Sequence, residues 1–275
     1  MVVEFDSEPM LGDRADPHEL PSNHNVFSAA MRRVPDAERP QPQQRRGAWR
    51  GGIGRLDIQH VDKSFADCPA VRGASLYVER GEAVTLLGPN GAGKTTIFYM
   101  ITGLTPVDGG QVELEGHDIT KLPMYQRARL GIGYLPQNAS IYCELNVEQS
   151  IRVVLEAIEP DRQQREYDLE ALLDELDIVR LRKTPSNALS SGDRRRVEIA
   201  RALAARPSYL LLDEPFADVE PTAVDDMLAL VRHVTQRGVG VLIADQFNQN
   251  SRQLLDVSDR AYVICLGDIL GTLVA

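Results

Sequence analysis

Apolar and polar residues follow two different periods between residues 56 and 273, and these periods predict a mixed α/β architecture. Residues 56–61 alternate between apolar and polar side chains, which is typical of a half-buried antiparallel strand. Short apolar runs bounded by turn residues predict further strands at 74–78, 83–87, 111–114, 131–136, 209–214, 239–244, 261–264 and 269–273. Helices are predicted at 94–101, 122–130, 146–159, 162–176, 194–204 and 222–235. Because strands and helices alternate, we expect a mainly parallel core sheet that carries a helical insertion.

A glycine-rich segment separates the predicted strand at 83–87 from the predicted helix at 94–101. Its pattern, G-x-x-x-x-G-K-T, is typical of loops that bind the phosphates of a nucleoside triphosphate. Glycine lets the backbone curl so that N–H groups point at phosphate oxygens, and the helix N-terminus adds partial positive charge. We expect Lys94 to reach the β- and γ-phosphates and Thr95 to ligate Mg²⁺. The predicted nucleotide-binding residues are Gly88, Pro89, Asn90, Gly91, Ala92, Gly93, Lys94, Thr95 and Thr96.

Two carboxylates follow the apolar run at 209–212. Nucleotides bind at the carboxyl ends of strands in parallel sheets, so we expect both carboxylates to face the glycine-rich loop. Asp213, at the end of a buried strand, is suited to hold Mg²⁺ through water. Glu214 is suited to orient or deprotonate an attacking water molecule. The sequence therefore predicts a nucleoside triphosphate and Mg²⁺ as cofactors.

The composition excludes several classes of protein. The 275 residues carry a net charge of −10, which argues against a general nucleic-acid binder. The three cysteines lack metal-ligand spacing and predict free thiols, and no apolar run is long enough for direct insertion into a membrane. Residues 1–52 are rich in proline and low in complexity. We therefore expect a mostly disordered N-terminal extension, with a partner-docking arm as the alternative, before a domain at 53–275.

Five segments of the chain occur in an order that identifies a family: 88–95, Gln137, 189–193, 210–214 and 216–221. Together they resemble the nucleotide-binding domain of an ABC transporter, over about residues 56–273. The L-S-x-G type element at 189–193 separates this family from other P-loop NTPases. The resemblance implies an ABC-type ATPase core with a parallel sheet, an antiparallel β subdomain and a helical subdomain at about 138–204.

The resemblance also implies roles for residues outside the glycine-rich loop. Phe65 falls at the aromatic position that stacks on adenine. Gln137 corresponds to the glutamine that contacts Mg²⁺ or the attacking water and couples to the membrane subunits. Asp213 corresponds to the metal-binding aspartate, and Glu214 corresponds to the catalytic base.

In the family, two such domains pair head to tail. The resemblance implies that Ser190, Ser191 and Gly192, at the start of a helix, donate N–H groups to the γ-phosphate held by a second ATPase subunit. The partners are then a homodimeric or heterodimeric copy and transmembrane permease subunits. The implied location is cytoplasmic, peripheral on the inner membrane.

Segments 98–104, 131–137 and 194–204 are similar to one subfamily in particular. This subfamily is the cytoplasmic ATPase of the lipopolysaccharide export system of Gram-negative bacteria. ATPases of branched-chain amino-acid importers are the nearest alternative. The chain stops before the C-terminal helices that are usual in the export subfamily.

Several residues depart from the family pattern at functional positions. Gln246 replaces the switch histidine, and its amide still donates a hydrogen bond, although it cannot carry charge. Ser191 replaces a glycine of the signature, and Asp218 and Glu220 replace glycine and aspartate in the loop that crosses the dimer interface. At 142–144 the basic residues near the groove for the membrane subunits are missing. These departures keep a second hypothesis open, a hydrolysis-impaired nucleotide sensor or the degenerate half of a heterodimer.

Overall fold

A computed structural model of the chain describes residues 54–137, 145–217, 221–248 and 250–274, with the backbone alone at 221–223. The predicted N-terminal extension at 1–52 lies outside the described residues and stays a prediction. The same holds for the missing basic residues at 142–144 and for the substitutions at Asp218 and Glu220.

The described residues form two sheets and a set of helices. The strands, in chain order, are β1 (Arg55–Phe65), β2 (Cys68–Glu79), β3 (Ala83–Leu87), β4 (Gly109–Leu114), β5 (His117–Asp118), β6 (Ile132–Leu135), β7 (Tyr209–Asp213), β8 (Gly240–Asp245), β9 (Arg260–Cys265) and β10 (Asp268–Val274). The helices are α1 (Lys94–Thr102), α2 (Met124–Arg129), α3 (Val147–Ile158), α4 (Arg162–Glu175), α5 (Ser191–Ala204), α6 (Pro221–Gln236) and α7 (Ser251–Asp256). Short 3₁₀ turns occur at Val179–Leu181 and Ser186–Ala188.

The larger sheet has six strands in the order β10-β9-β3-β8-β7-β6. Its strands are parallel except for the edge strand β10, which pairs antiparallel with β9. Strands β3, β7 and β8 are buried along their whole length, which explains why their sequences are apolar throughout rather than alternating. The predicted α/β fold with a mainly parallel core sheet is confirmed.

The smaller sheet is antiparallel, with the order β2-β1-β4-β5. Strand β1 buries the predicted apolar residues Leu56, Ile58 and Val61, but the alternation is not strict, because Asp57 is buried too and a register shift lies between Ile58 and Val61. Both hairpin strands extend beyond their predicted bounds, because β1 continues to Phe65 and pairs there with Cys68 at the start of β2. The hairpin closes through Ala66 and Asp67, both with positive φ. The short elements β5 and α7 have no counterpart among the predicted segments.

Apolar residues on both faces of the core sheet form two separate clusters. Along β7, Leu210 and Leu212 pack in one cluster, whereas Tyr209 and Leu211 pack in the other. A strand points successive side chains to opposite faces, so this division shows that β7 runs between two apolar layers. One layer includes α3, α4 and α5, and the other includes α1 and the antiparallel sheet.

The predicted helical insertion lies between β6 and β7. Its described part comprises α3, α4 and α5. Helix α3 begins with a capping box, in which Asn146 accepts the N–H of Gln149 and the Gln149 side chain accepts the N–H of Asn146. The helix buries Ile151 and Leu155 against the core, as a 3.6-residue period requires. The first residues of the predicted subdomain, 138–144, lie outside the described residues.

Candidate nucleotide site

The glycine-rich loop is pressed against two neighbouring strands. A Cβ atom at Gly88 would lie 2.3 Å from the carbonyl oxygen of Ile264 in β9. A Cβ atom at Gly93 would lie 2.6 Å from the carbonyl oxygen of Ala70 in β2, and Gly93 also has φ +103°. Glycine at these two positions therefore lets the loop sit deep in the sheet edge. Helix α1 starts at once after Gly93, with no side-chain cap on its N-terminus, so its first N–H groups stay available to an anion.

Lys94 folds back over the loop that precedes it. Its Nζ donates to the carbonyl oxygens of Gly88 and Pro89, at 2.8 and 3.0 Å, and lies 3.9 Å from Oε1 of Glu214. The side chain is 4% exposed, and this burial lowers the pKa of Lys94 although nearby carboxylates oppose the shift. A buried ammonium held by carbonyl groups is suited to exchange them for phosphate oxygens.

Asp213 lies at the end of β7, beside the start of α1. One of its oxygens, Oδ2, accepts a hydrogen bond from the Tyr134 hydroxyl at 3.3 Å, and the carboxylate also bonds the side chain of Thr95. Its other oxygen, Oδ1, is buried without a hydrogen-bond partner. Burial raises the pKa of Asp213 to about 6.

A third carboxylate, Asp245, ends the neighbouring strand β8. Its register partner is Leu87, the residue before the glycine-rich loop. Oδ1 accepts the backbone N–H of Gln246 at 2.6 Å, whereas Oδ2 is buried without a partner. Burial also raises the pKa of Asp245 to about 6.

These observations test whether the residues fit Mg²⁺ and a nucleotide. Two buried carboxylate oxygens without partners, on Asp213 and Asp245, are costly unless a cation or its water ligands approach them. Carboxylate and hydroxyl oxygens are the ligands that Mg²⁺ prefers, and Thr95 places such a hydroxyl at Asp213. The residues present therefore fit ATP with Mg²⁺.

Glu214 occupies a sharp turn directly after β7, with φ +44°. A non-glycine residue in this region is strained, and its neighbours must hold it there. The backbone N–H of Glu214 donates to Ala244 at 2.8 Å, and its carbonyl accepts from Nη2 of Arg195 at 3.2 Å. The carboxylate accepts the amides of Gln137 and Gln246, at 2.8 and 2.9 Å. The structure thus brings together the three side chains that the sequence singled out as catalytic.

The signature residues lie at the N-terminus of α5, in the helical insertion. Ser190 caps this helix, and its Oγ accepts the backbone N–H of Asp193 at 3.1 Å. Ser191 and Gly192 form the first turn and are partly exposed. A cavity of about 370 Å³ opens here; its lining residues include Ser190, Gly192, Asp193 and Arg180. Arg180 forms an ion pair with Asp193 at 2.6 Å.

Phe65 lies at the tip of the β1–β2 hairpin, and it is 43% exposed. The Nζ of Lys63 lies 5.5 Å from the centroid of its ring. The exposed face is compatible with stacking on a base, and the adenine-binding role stays a prediction.

Sequence reasoning missed three residues that shape the site: Tyr134, Asp245 and Arg195. Arg195 is buried in α5, and it donates to the carbonyl oxygens of Pro136, Glu214 and Pro215 at 3.2–3.3 Å. Their sequence features only weakly indicate a role in the site. Tyr134 is a tyrosine in an apolar strand, Asp245 is an acidic residue at the end of a strand, and Arg195 is an arginine on the apolar side of a helix. Each depends on a partner that is distant in sequence.

A glycine-rich loop between a buried strand and a helix, facing carboxylates at the ends of adjacent parallel strands, defines a P-loop nucleoside-triphosphate site. The family model described as ABC transporter matches residues 71–217. The chain belongs to the ABC transporter ATPase family, whose members bind and hydrolyse ATP. It is thus an ABC-type ATP hydrolase and the ATP-binding subunit of an ABC transporter.

Individual relatives cover most of the chain. A probable ABC transporter ATP-binding protein of Azorhizobium caulinodans is 61% identical, over 82% of this chain and 81% of its own length. The lipopolysaccharide export system ATP-binding protein LptB of Haemophilus influenzae is 48% identical, over 79% of this chain and 89% of its own length. The crystal structure of the ADP conformation of MJ1267, an ATP-binding cassette of an ABC transporter, is 26% identical with a TM-score of 0.71, covering 80% of this chain and 91% of that chain.

ABC ATPases generally dimerise and associate with transmembrane permease subunits. Within the part of the chain that the structure describes, no helix combines the length and apolar character that a membrane crossing requires.

Proposed function

We propose that this chain powers lipopolysaccharide export as the ATPase subunit of a transporter. The observation that carries the proposal is its similarity to the lipopolysaccharide export ATP-binding protein LptB, at 48% identity over most of both chains. The names of the relatives at higher identity leave the transported molecule open. The subunit would act on the cytoplasmic face of the inner membrane, paired with a second copy and with permease subunits.

The glycine-rich loop and the N-terminus of α1 hold the phosphates of ATP. Lys94 transfers its hydrogen bonds from the carbonyl oxygens of Gly88 and Pro89 to the outer phosphates, a change that replaces neutral acceptors with charged ones. The remaining loop residues approach the phosphates through their backbones, and Phe65 stacks on the base. When bound, Mg²⁺ neutralises phosphate charge, and Thr95, Asp213 and Gln137 hold it.

Glu214 acts as the general base. Its Oε2 is already occupied by two amide donors, so Oε1 is the atom that accepts a proton from the water that attacks the γ-phosphate. Nζ of Lys94 lies 3.9 Å from this free oxygen, on the side of the glycine-rich loop. Ser190, Ser191 and Gly192 complete the site of the second copy from the N-terminus of α5.

Steady-state ATPase assays on the purified full chain test these roles. Lys94→Ala should weaken Mg-ATP binding by about 100-fold, because the buried charge-assisted bonds are lost. Glu214→Gln should keep ATP binding and lower kcat by about 10²–10³-fold. Lys121→Ala, which removes an exposed lysine, is the matched control and should change neither quantity. Full turnover of Glu214→Gln would contradict the assignment of the base.

The export role needs a membrane assay. The chain is reconstituted in proteoliposomes with lipopolysaccharide-export permease subunits or, separately, with branched-chain amino-acid permease subunits. Assembly and ATP-driven release of lipopolysaccharide with the first set alone would support the proposal. Coupling to the importer subunits would overturn it, and so would background turnover with both sets, since that result would indicate a hydrolysis-impaired sensor.

A further inference from the structure

One atom of the proposed catalytic base receives two hydrogen bonds from opposite sides. Oε2 of Glu214 accepts Nε2 of Gln137 at 2.8 Å and Nε2 of Gln246 at 2.9 Å. Gln137 follows β6 and Gln246 follows β8, and these strands flank β7, which carries Glu214 at its end. The strand order therefore places one amide on each side of the carboxylate.

The backbone at or next to each of the two glutamines makes further hydrogen bonds besides the side-chain contact with Glu214. The backbone N–H of Gln246 donates to Oδ1 of Asp245 at 2.6 Å, and its carbonyl accepts the hydroxyl of Ser251 at 3.3 Å. On the other side, Arg195 donates to the carbonyl of Pro136, next to Gln137, and also to the carbonyl of Glu214. The two amides are thus held by separate parts of the fold.

The chemistry of an amide suits this task. A carboxylate oxygen has two lone pairs, so two donors fill Oε2 and leave Oε1 as the free acceptor. The terminal torsion of a glutamate side chain is broad, and fixed donors are needed to select one orientation. A glutamine amide is also neutral at every pH, so its hydrogen bond does not depend on protonation.

We propose that Gln246 and Gln137 form a pair of positioning residues that hold Glu214 through Oε2, and that Gln246 acts through Glu214 rather than on the phosphate. This inference rests on the proposed role of Glu214 as the base. It assigns to Gln246 a function that does not need the imidazole of the family's switch residue. The effects of the two glutamines should also depend on each other. When one hydrogen bond to Oε2 is removed, the other still holds Glu214 in part.

A double-mutant cycle on the full chain tests the pair. The variants are Gln137→Met, Gln246→Met and the double variant, assayed for kcat and KM at saturating Mg²⁺. We expect each single change to lower kcat by about 10-fold and the double change by about 10³-fold, and we expect the KM of Gln246→Met for ATP to stay within about twofold. Independent effects that multiply to about 100-fold would overturn the inference, since residues with separate targets do not couple.

Two further variants separate positioning from packing. Gln246→Glu keeps the shape of the side chain but sets a carboxylate against Oε2, so kcat should fall at least 10-fold below that of Gln246→Met. Gln246→Asn keeps an amide but is one methylene shorter, so it should resemble Gln246→Met. Equal kcat values for the Glu and Met variants would refute a contact with Glu214.

The controls distinguish failure of this inference from failure of the proposed function. Gln253→Met removes an exposed amide that bonds Asp225 near the same loop, and it should leave kcat unchanged. Thermal unfolding and ATP binding are measured for every variant to identify those that do not fold. If Glu214→Gln abolishes turnover while the effects of Gln137→Met and Gln246→Met are independent, only the proposal of a positioning pair is wrong. If Glu214→Gln turns over normally, the assignment of the base itself is wrong.

Discussion

Arg127 supports the nucleotide site from the far end of the helix that begins at the glycine-rich loop. Its guanidinium is buried, 2% exposed, and donates to four carbonyl oxygens. Nη1 reaches Met100 and Ile101 in the last turn of α1, at 2.6 and 2.8 Å. Nε reaches Leu122 at 2.8 Å, and Nη2 reaches Thr120 at 2.6 Å. A cation at the C-terminus of a helix also complements the helix dipole.

The expected effect of Arg127→Met follows from these contacts. Each buried carbonyl left without a donor costs about 1–3 kcal/mol, and four are affected. Removing the buried charge offsets part of this free-energy cost, because burial disfavours the cation and lowers the pKa of Arg127 to about 10. We therefore expect Arg127→Met to lower the free energy of unfolding by about 3–5 kcal/mol. Arg127→Lys keeps the charge but cannot span all four acceptors, so about 2 kcal/mol should be lost.

Denaturant unfolding of the nucleotide-free protein measures both variants. The control is Arg129→Met, an exposed arginine in the same helix, which should change the free energy of unfolding by less than about 0.5 kcal/mol. Because α1 carries Lys94 at its first turn, Arg127→Met should also weaken ATP binding at temperatures where it is folded. A loss below about 1 kcal/mol, or one equal to that of Arg129→Met, would refute this account of the buried guanidinium.

Two further predictions concern the site itself. Gly88→Ala should weaken ATP binding by at least about 10-fold in a fluorescent-nucleotide titration, because a Cβ atom there would lie 2.3 Å from the Ile264 carbonyl oxygen. Gly271→Ala is the control and should leave ATP binding unchanged, because Gly271 lacks a positive φ and a Cβ atom there would have nothing within 4 Å. Asp245→Asn should raise the free energy of unfolding at pH 7.5 by about 1–3 kcal/mol, because the folded state raises the pKa of Asp245 to about 6 and so disfavours its ionised form. This gain should shrink as the pH falls from 6 to 4, because Asp245 takes up a proton in the folded state over that range. Urea titrations measure the gain at each pH, and a gain of constant size would contradict the raised pKa of Asp245 as its cause.

Local patterns predicted the elements that their own sequence stabilises. The predicted helix at 146–159 corresponds to α3 (Val147–Ile158), since its apolar period and its capping residues lie within the segment. The predicted strand at 83–87 corresponds to β3, because a short apolar run that ends in a glycine-rich turn has few other conformations. The predicted strands at 261–264 and 269–273 correspond to β9 and β10, which pair antiparallel.

Elements without a local signal were missed for a physical reason. Strand β5 has two exposed residues and exists because it pairs with β4. Arg127 and Arg195 are charged residues that sequence patterns place at the surface, yet both are buried, since part of their hydrogen-bond partners are carbonyl groups distant in sequence. No window of sequence contains those carbonyl groups together with the arginine that binds them.

The sequence by itself determined the strand–loop–helix unit at Lys94, the acidic end of β7 and the family of the chain, because each depends on residues that are adjacent or in fixed order. Only the tertiary structure decided which side chains contact one another. The parallel order β8-β7-β6 brings Gln246 and Gln137 to Glu214, although they lie 32 and 77 positions from it along the chain. Burial then leaves Asp213 and Asp245 with unpaired oxygens, and their raised pKa values come from that packing rather than from the identity of the residues.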